Sequence, residues 1–283
     1  MRLKPKLILT NLSLALMLVI SPIAQSKLLP KPATNASQSA ANRYDRSNDI
    51  FHPVYGKNGM VASEQGLATQ VGLDILKQGG NAIDAAVAVG FALAVVLPNA
   101  GNIGGGGFMV LHDDKTGKDV AIDFREIAPA KASRDMYLDS QGNVIDGKSL
   151  FTHDASGVPG TVAGMEYALK KWGTMPLSKV LEPAIKLADK GFIVSDVLAK
   201  TLKEEKSTLG KWSASKAIFF KNGEPLKSGD LLVQKDLAKS LRLIAKQGAK
   251  AFYQGEIATK IAKEMQSQGS TMTLGDLKAY KVV

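Results

Sequence analysis

The chain has 283 residues, a formal net charge of +10, 45% hydrophobic residues and no cysteine. That length is ample for a packed core, and the lack of cysteine excludes disulfides, a lipid-anchored cysteine and thiolate metal sites. Positive charge alone could indicate a nucleic acid or a membrane surface. The lysines, however, are dispersed among Asp and Glu, and the aromatic residues do not interleave with basic clusters, so the composition reads as a basic soluble protein with no nucleic-acid partner.

In chain order, Arg2, Lys4 and Lys6 precede an apolar run from Leu7 to Ile20 and then small residues ending at Ala24-Gln25-Ser26. This is the pattern of a secretory signal peptide over residues 1–26 with an A-x-S cleavage site. Thr10, Asn11 and Ser13 break the run, which falls short of the ~20 apolar residues that a membrane span needs. The expectation is export to the periplasm or the exterior, with no stable membrane anchor after cleavage. Residues 27–50, rich in Pro, Ala, Ser, Asn and Gln and without apolar periodicity, read as a mobile leader, and a single domain is expected over 51–283.

Met60 to Ser63 forms a short apolar strand candidate, followed by a helix from Gln65 to Lys77 that Gly79-Gly80 stops. Asn81 or Asp84 can cap a second helix, Ala85 to Leu97, whose body carries no charge and which Pro98 ends. Too short to span a bilayer, it reads as a helix buried on all sides. Gly101 to Gly107 then opens a β-hairpin: Phe108 to His112, a turn at Asp113 to Gly117, and Val120 to Arg125. Helices are predicted over Thr161–Trp172, Leu177–Lys190, Lys235–Gln247 and Gly255–Gln268, ending near Gly173, Gly191, Gly248 and Gly269. Thr273 to Asp276 reads as a capping box for one more short helix. Val282-Val283 reads as the first step of a strand.

Several patterns bear on chemistry. The glycines follow a helix and open a strand, the reverse of a dinucleotide fingerprint, and no Gly-Lys-Ser/Thr accompanies them. Their use is close approach by another backbone segment or a ligand. His52, His112 and His153 are far apart in sequence and have no cysteine to join them, so metal chemistry is poorly supported. Ser213-Ala214-Ser215-Lys216 matches S-x-x-K and Lys115-Thr116-Gly117 matches K-T-G, which would suit a serine acyltransferase using Ser213, but penicillin-recognising enzymes carry those motifs in the opposite order. Arg125 stands out because a guanidinium fork suits a carboxylate, such as the α-carboxylate of an amino acid. Pairing of Arg125 with Asp123 along one strand face is the structural alternative.

Together these segments resemble the γ-glutamyltransferases, or glutathione hydrolases, members of the N-terminal-nucleophile hydrolases. The resemblance is carried by Phe51-His52-Pro53 with Gly59 to Ser63, by Gly79 to Ala88, and by Asn99 to Phe108. Asp123-Phe124-Arg125-Glu126 with Ala128-Pro129 and Gly157 to Gly164 extend it, and the helical parts from Tyr167 to Ser195 and Gly229 to Tyr280 complete it.

The resemblance implies an α+β fold, an αββα sandwich built from the large and small subunits of one self-cleaving precursor, here incomplete because the small-subunit strands are absent. It implies no cofactor. The nucleophile would be the amino-terminal threonine of the small subunit, with its own amine as base. It attacks the γ-carbonyl of glutathione or a related γ-glutamyl compound, and the acyl group passes to water or to an acceptor amino acid or peptide. Arg125 matches the family arginine that holds the substrate α-carboxylate, and the glycine block matches scaffold near the site. The catalytic threonine falls past the point matched by Val283, so no catalytic residue is assigned within this chain. The isolated chain is expected to be inactive and, with strand edges uncovered, prone to aggregate. A non-catalytic exported protein that binds glutamate-like ligands through Arg125 is the alternative.

Overall fold

The computed structural model describes residues 54–283. The signal-peptide and leader regions, and the Phe51-His52-Pro53 part of the resemblance, lie outside the described residues.

Helix α1 (Gly66–Lys77) starts where the Gln65 side chain accepts the backbone N–H of Leu67, at 2.6 Å, and that of Ala68. It stops at Gln78, before Gly79, whose φ of +90° suits glycine. Helix α2 (Ala82–Val96) begins three residues earlier than its apolar run suggests, because Asn81 is the cap and Asp84 its capping-box partner. Val87, Ala88, Phe91, Ala92 and Val95 of α2 are fully buried.

Strands β1 (Phe108–Asp113) and β2 (Lys118–Asp123) form the antiparallel hairpin, in register from Phe108 opposite Asp123 to Asp113 opposite Lys118. Gly117 closes its turn at φ +65°. A single helical turn, α3 (Lys148–Phe151), and a 3-10 turn (His153–Ala155) lead to the long helices α4 (Thr161–Trp172) and α5 (Leu177–Lys190).

The next stretch is made of small pieces. Strand β3 (Phe192–Ile193) is followed by helices α6 (Asp196–Glu204), α7 (Lys206–Leu209) and α8 (Ser213–Phe219). Strands β4 (Phe220–Lys221) and β5 (Glu224–Pro225) form a tight hairpin, and β6 (Leu231–Leu232) returns to pair with β3. Asn222 and Gly223, both at positive φ, make the turn between β4 and β5. Helices α9 (Lys235–Gln247), α10 (Ala249–Tyr253), α11 (Glu256–Ser267) and α12 (Leu274–Ala279) complete the fold. The expected Thr273–Asp276 capping box starts α12, with the Asp276 carboxylate also accepting the Ala130 N–H at 2.8 Å.

The main core is helical, with α2 against α1, α4 and α5, and α5 against α9. Asp84 is a fully buried carboxylate in this apolar setting. Its Oδ1 accepts the N–H groups of Thr174 (2.9 Å) and Met175 (3.0 Å), and its Oδ2 accepts the Asn81 N–H (2.8 Å) and the Thr174 hydroxyl (2.6 Å). Burial works against the charged form, but these hydrogen bonds more than offset it and hold the carboxyl below its usual range. The Asn81 side chain adds a bond to the Trp172 carbonyl at 2.6 Å, so the start of α2 is tied to the loop between α4 and α5.

One expectation needs correction. Met60 to Ser63 is not a strand: among the described residues it has no ladder partner, and Val61 is instead packed onto Gly72 of α1. Gly173 ends α4 as expected, at an ordinary φ of −74°. Glycine is needed there for space, since a Cβ would stand 2.8 Å from the Asp84 carboxylate.

Candidate substrate-binding site around Arg125

The hairpin packs one face inward, where Leu111, Ile122 and Phe124 meet Ala168 of α4. Its other face carries Phe108 and Val110, 64% and 78% exposed. Strand β2 ends at Asp123, but the ladder runs one step further, because Gly107 and Phe124 exchange both backbone hydrogen bonds at 3.2 and 3.0 Å. Arg125 therefore leaves the sheet from a fixed point, two residues past the strand that was expected to include it.

Its backbone is held at both polar groups. The N–H donates to Asp123 Oδ1 at 2.9 Å, and the carbonyl accepts the Tyr280 hydroxyl at 2.8 Å. Glycines let this backbone lie deep. A Cβ on Gly106 would come within 2.5 Å of the Phe124 carbonyl and 2.9 Å of the Arg125 carbonyl carbon, and a Cβ on Gly160 would collide with both the Phe124 carbonyl and the Tyr280 hydroxyl. The Gly105 carbonyl accepts the N–H groups of Gly160 and Thr161 at 2.7 and 3.0 Å. The close approach offered by the glycine block is thus taken up by protein backbone.

The Arg125 side chain is 63% exposed. Its Nε is 3.3 Å from Glu126 Oε2, and its Cζ lies 6.0 Å from the Phe108 ring centroid. No hydrogen bond within the described residues occupies its two Nη nitrogens. Asp123 accepts the Arg125 backbone N–H rather than pairing with the guanidinium, so the strand-face alternative does not describe the site. The Nη pair has the geometry that a carboxylate needs.

The other sequence candidates are scattered. Ser213 and Lys216 are exposed on α8, while Thr116 of the Lys115-Thr116-Gly117 turn bonds Asp113 at 2.9 Å. No hydrogen bond or ion pair joins these two motifs among the described residues, as a serine acyltransferase would require. His112 pairs with Asp119 on the hairpin and His153 lies 3.5 Å from Glu264. The described residues hold no cluster of His, Asp or Glu suited to a metal ion. Tyr280 was not singled out in the sequence, since nothing local marks a tyrosine that acts 155 positions away from its partner.

Residues 68–283 match the family model described as gamma-glutamyltranspeptidase. The chain belongs to that family. It is 61% identical over 241 residues to the glutathione hydrolase proenzyme of Escherichia coli K12, covering 85% of this chain and 41% of the relative. It is 50% identical over 233 residues to the glutathione hydrolase proenzyme of Pseudomonas sp. strain A14, covering 81% of this chain and 40% of the relative. The crystal structure of Helicobacter pylori gamma-glutamyltranspeptidase superposes with a TM-score of 0.80 at 53% identity, over 82% of this chain and 66% of that one. The α+β N-terminal-nucleophile hydrolase fold implied by the resemblance is therefore the fold of these residues. The chain spans about two fifths of the length of the curated relatives that it matches.

Proposed function

We propose that this chain supplies the carboxylate-gripping half of an enzyme that hydrolyses or transfers γ-glutamyl groups. The supporting observation is Arg125, a guanidinium presented to solvent from a backbone fixed at N–H and carbonyl, with no hydrogen bond to its Nη pair among the described residues. Such a fork fixes an α-carboxylate in two-point contact, and holding the far end of a γ-glutamyl group orients its γ-carbonyl for attack.

In this reading the substrate is glutathione or a related γ-glutamyl compound, and the acceptor is water, an amino acid or a peptide. The attacking threonine and its amine base belong to a small subunit of the same precursor, as the family resemblance implies. The γ-carbonyl carbon gains the threonine oxygen and loses the amide nitrogen, which leaves protonated. Water or an acceptor amine then takes the acyl group and frees the threonine. Export under the signal peptide at residues 1–26, with the leader at 27–50 and the domain from 51, completes the proposal and puts the enzyme in the periplasm or outside the cell. No helix among the described residues is long and apolar enough to cross a membrane.

The test joins the whole chain at Val283 to the corresponding remainder of the Escherichia coli relative and assays a chromogenic γ-glutamyl anilide. The chimera should self-cleave and turn over the substrate, and Arg125→Gln should lower kcat/KM by about two orders of magnitude, the worth of a charged hydrogen-bonded contact. An uncleaved or inactive chimera, or an Arg125→Gln form as active as its parent, would overturn the reading.

A further inference from the structure

Tyr280 reaches Arg125 from the far end of the chain. It follows the last turn of α12, and its ring stacks on Tyr253 of α10, with centroids 5.5 Å apart and planes inclined by 15°. Tyr253 is itself anchored at the start of α4: its hydroxyl donates to the Pro159 carbonyl at 2.9 Å and accepts the Ala163 N–H at 3.3 Å. The stack holds the Tyr280 ring over Gly160, whose missing side chain leaves room for the hydroxyl.

The same short segment touches Arg125's strand a second time. Val283 exchanges both backbone hydrogen bonds with Asp123, at 2.7 and 2.9 Å, and Asp123 accepts the Arg125 N–H. Residues 280 and 283 thus bracket Arg125, one at its carbonyl and the other at the residue that holds its N–H. Neither touches the guanidinium. On this geometry we infer that Tyr280 is a positioning residue for Arg125, setting the height and direction from which the guanidinium meets a substrate carboxylate. Burial and the nearby negative charges of Asp123 and Glu126 push the Tyr280 hydroxyl up to about 12, so it keeps its proton, and remains a donor, across the physiological range.

This inference rests on the reading of Arg125 as the carboxylate anchor, and the experiment separates the two. In the chimera described above, Tyr280→Phe keeps the ring stack and removes only the donor. The expected result is a rise in KM for the γ-glutamyl anilide of about fivefold, the worth of one neutral hydrogen bond, with kcat and Tm close to those of the parent. In an Arg125→Gln background Tyr280→Phe should change KM no further, because the group it positions is gone. If Arg125→Gln raises KM and Tyr280→Phe leaves it unchanged, or the two effects simply add, the positioning role is overturned while the carboxylate reading stands. If Arg125→Gln leaves KM unchanged, the carboxylate reading itself fails.

Discussion

The Asp84 carboxylate receives Thr174 twice, through the backbone N–H on one oxygen and through the hydroxyl on the other. With Asn81 and Met175, donors converge on both oxygens of a side chain that has no exposure to solvent. Asp84→Asn places an amide NH2 where only an acceptor fits, leaving N–H groups facing N–H groups. The expected loss is about 2–4 kcal/mol, read from the shift in the denaturation midpoint at pH 7. The carboxyl is held below its ordinary range, so its contribution is present above that range and disappears as pH falls through the folded value. The gap between parent and variant should therefore narrow on acidification. A gap that is constant down to strongly acid pH would show that the charge is not what the site requires.

Tyr280 gives the opposite limb of the pH profile. Its proton is bound more tightly in the fold, with the group moved from 10.0 to about 12. The associated stability is complete below pH 10 and is lost as pH rises towards 12. Thermal melts over that range should show the parent losing more stability than Tyr280→Phe, which has no proton to release. Parallel declines would mean that the hydroxyl is not buried against Arg125 in solution.

Gly160 has an unremarkable φ of −117°, so its requirement is for space alone. Gly160→Ala should push the Phe124 carbonyl and the Tyr280 hydroxyl apart and cost about 3 kcal/mol, at the upper end of ordinary overpacking. Gly223, by contrast, has open space around its missing Cβ and φ of +83°, so Gly223→Ala should cost about 1 kcal/mol through backbone strain. Urea melts of the two variants should rank in that order.

Phe108 and Val110 stand on the solvent face of the hairpin, and their backbone groups form an unpaired β1 edge among the described residues. An apolar strand of this kind invites edge-to-edge pairing. Val110→Lys should leave stability within about 0.5 kcal/mol of the parent and reduce self-association of the purified chain, measured by light scattering against concentration. Unchanged scattering would place the associating surface elsewhere.

The sequence readily revealed elements whose cause is local. The spans of α4, α5 and α9 follow the three-and-four apolar spacing to the residue, and the Thr273–Asp276 box marks α12 directly. Val283 does take strand-like hydrogen bonds, as its β-branched type suggests. Elements with a distant cause were not legible. Strand β3 exists because Leu231 and Leu232 return to pair with Phe192 and Ile193, and two residues carry no periodicity. Met60 to Ser63 has the composition of a strand but no neighbour to pair with among the described residues. Arg125 was nominated from its residue type and the motif around it, whereas the Tyr280 that holds its carbonyl and the Thr174 that satisfies Asp84 each lie some ninety positions or more from their partners. The Asn222-Gly223 turn and the Ser195 cap of α6, with Leu198 and Leu202 four apart, were local signals left unused.

Helix α2 has neighbours on nearly every face, and this sets the order in which the molecule gives way. Its amides can exchange with solvent only when the surrounding helices separate, so they should be protected to the full free energy of unfolding, while the hairpin's outer edge opens on its own at far smaller cost. Arg125 lies on the boundary between these regimes. Its backbone is moored, through Gly160 and Tyr280, to the part that opens last, and its guanidinium hangs in the part that is always open. If Arg125 is the carboxylate anchor proposed above, its ligand meets a group whose backbone needs no rearrangement to receive it.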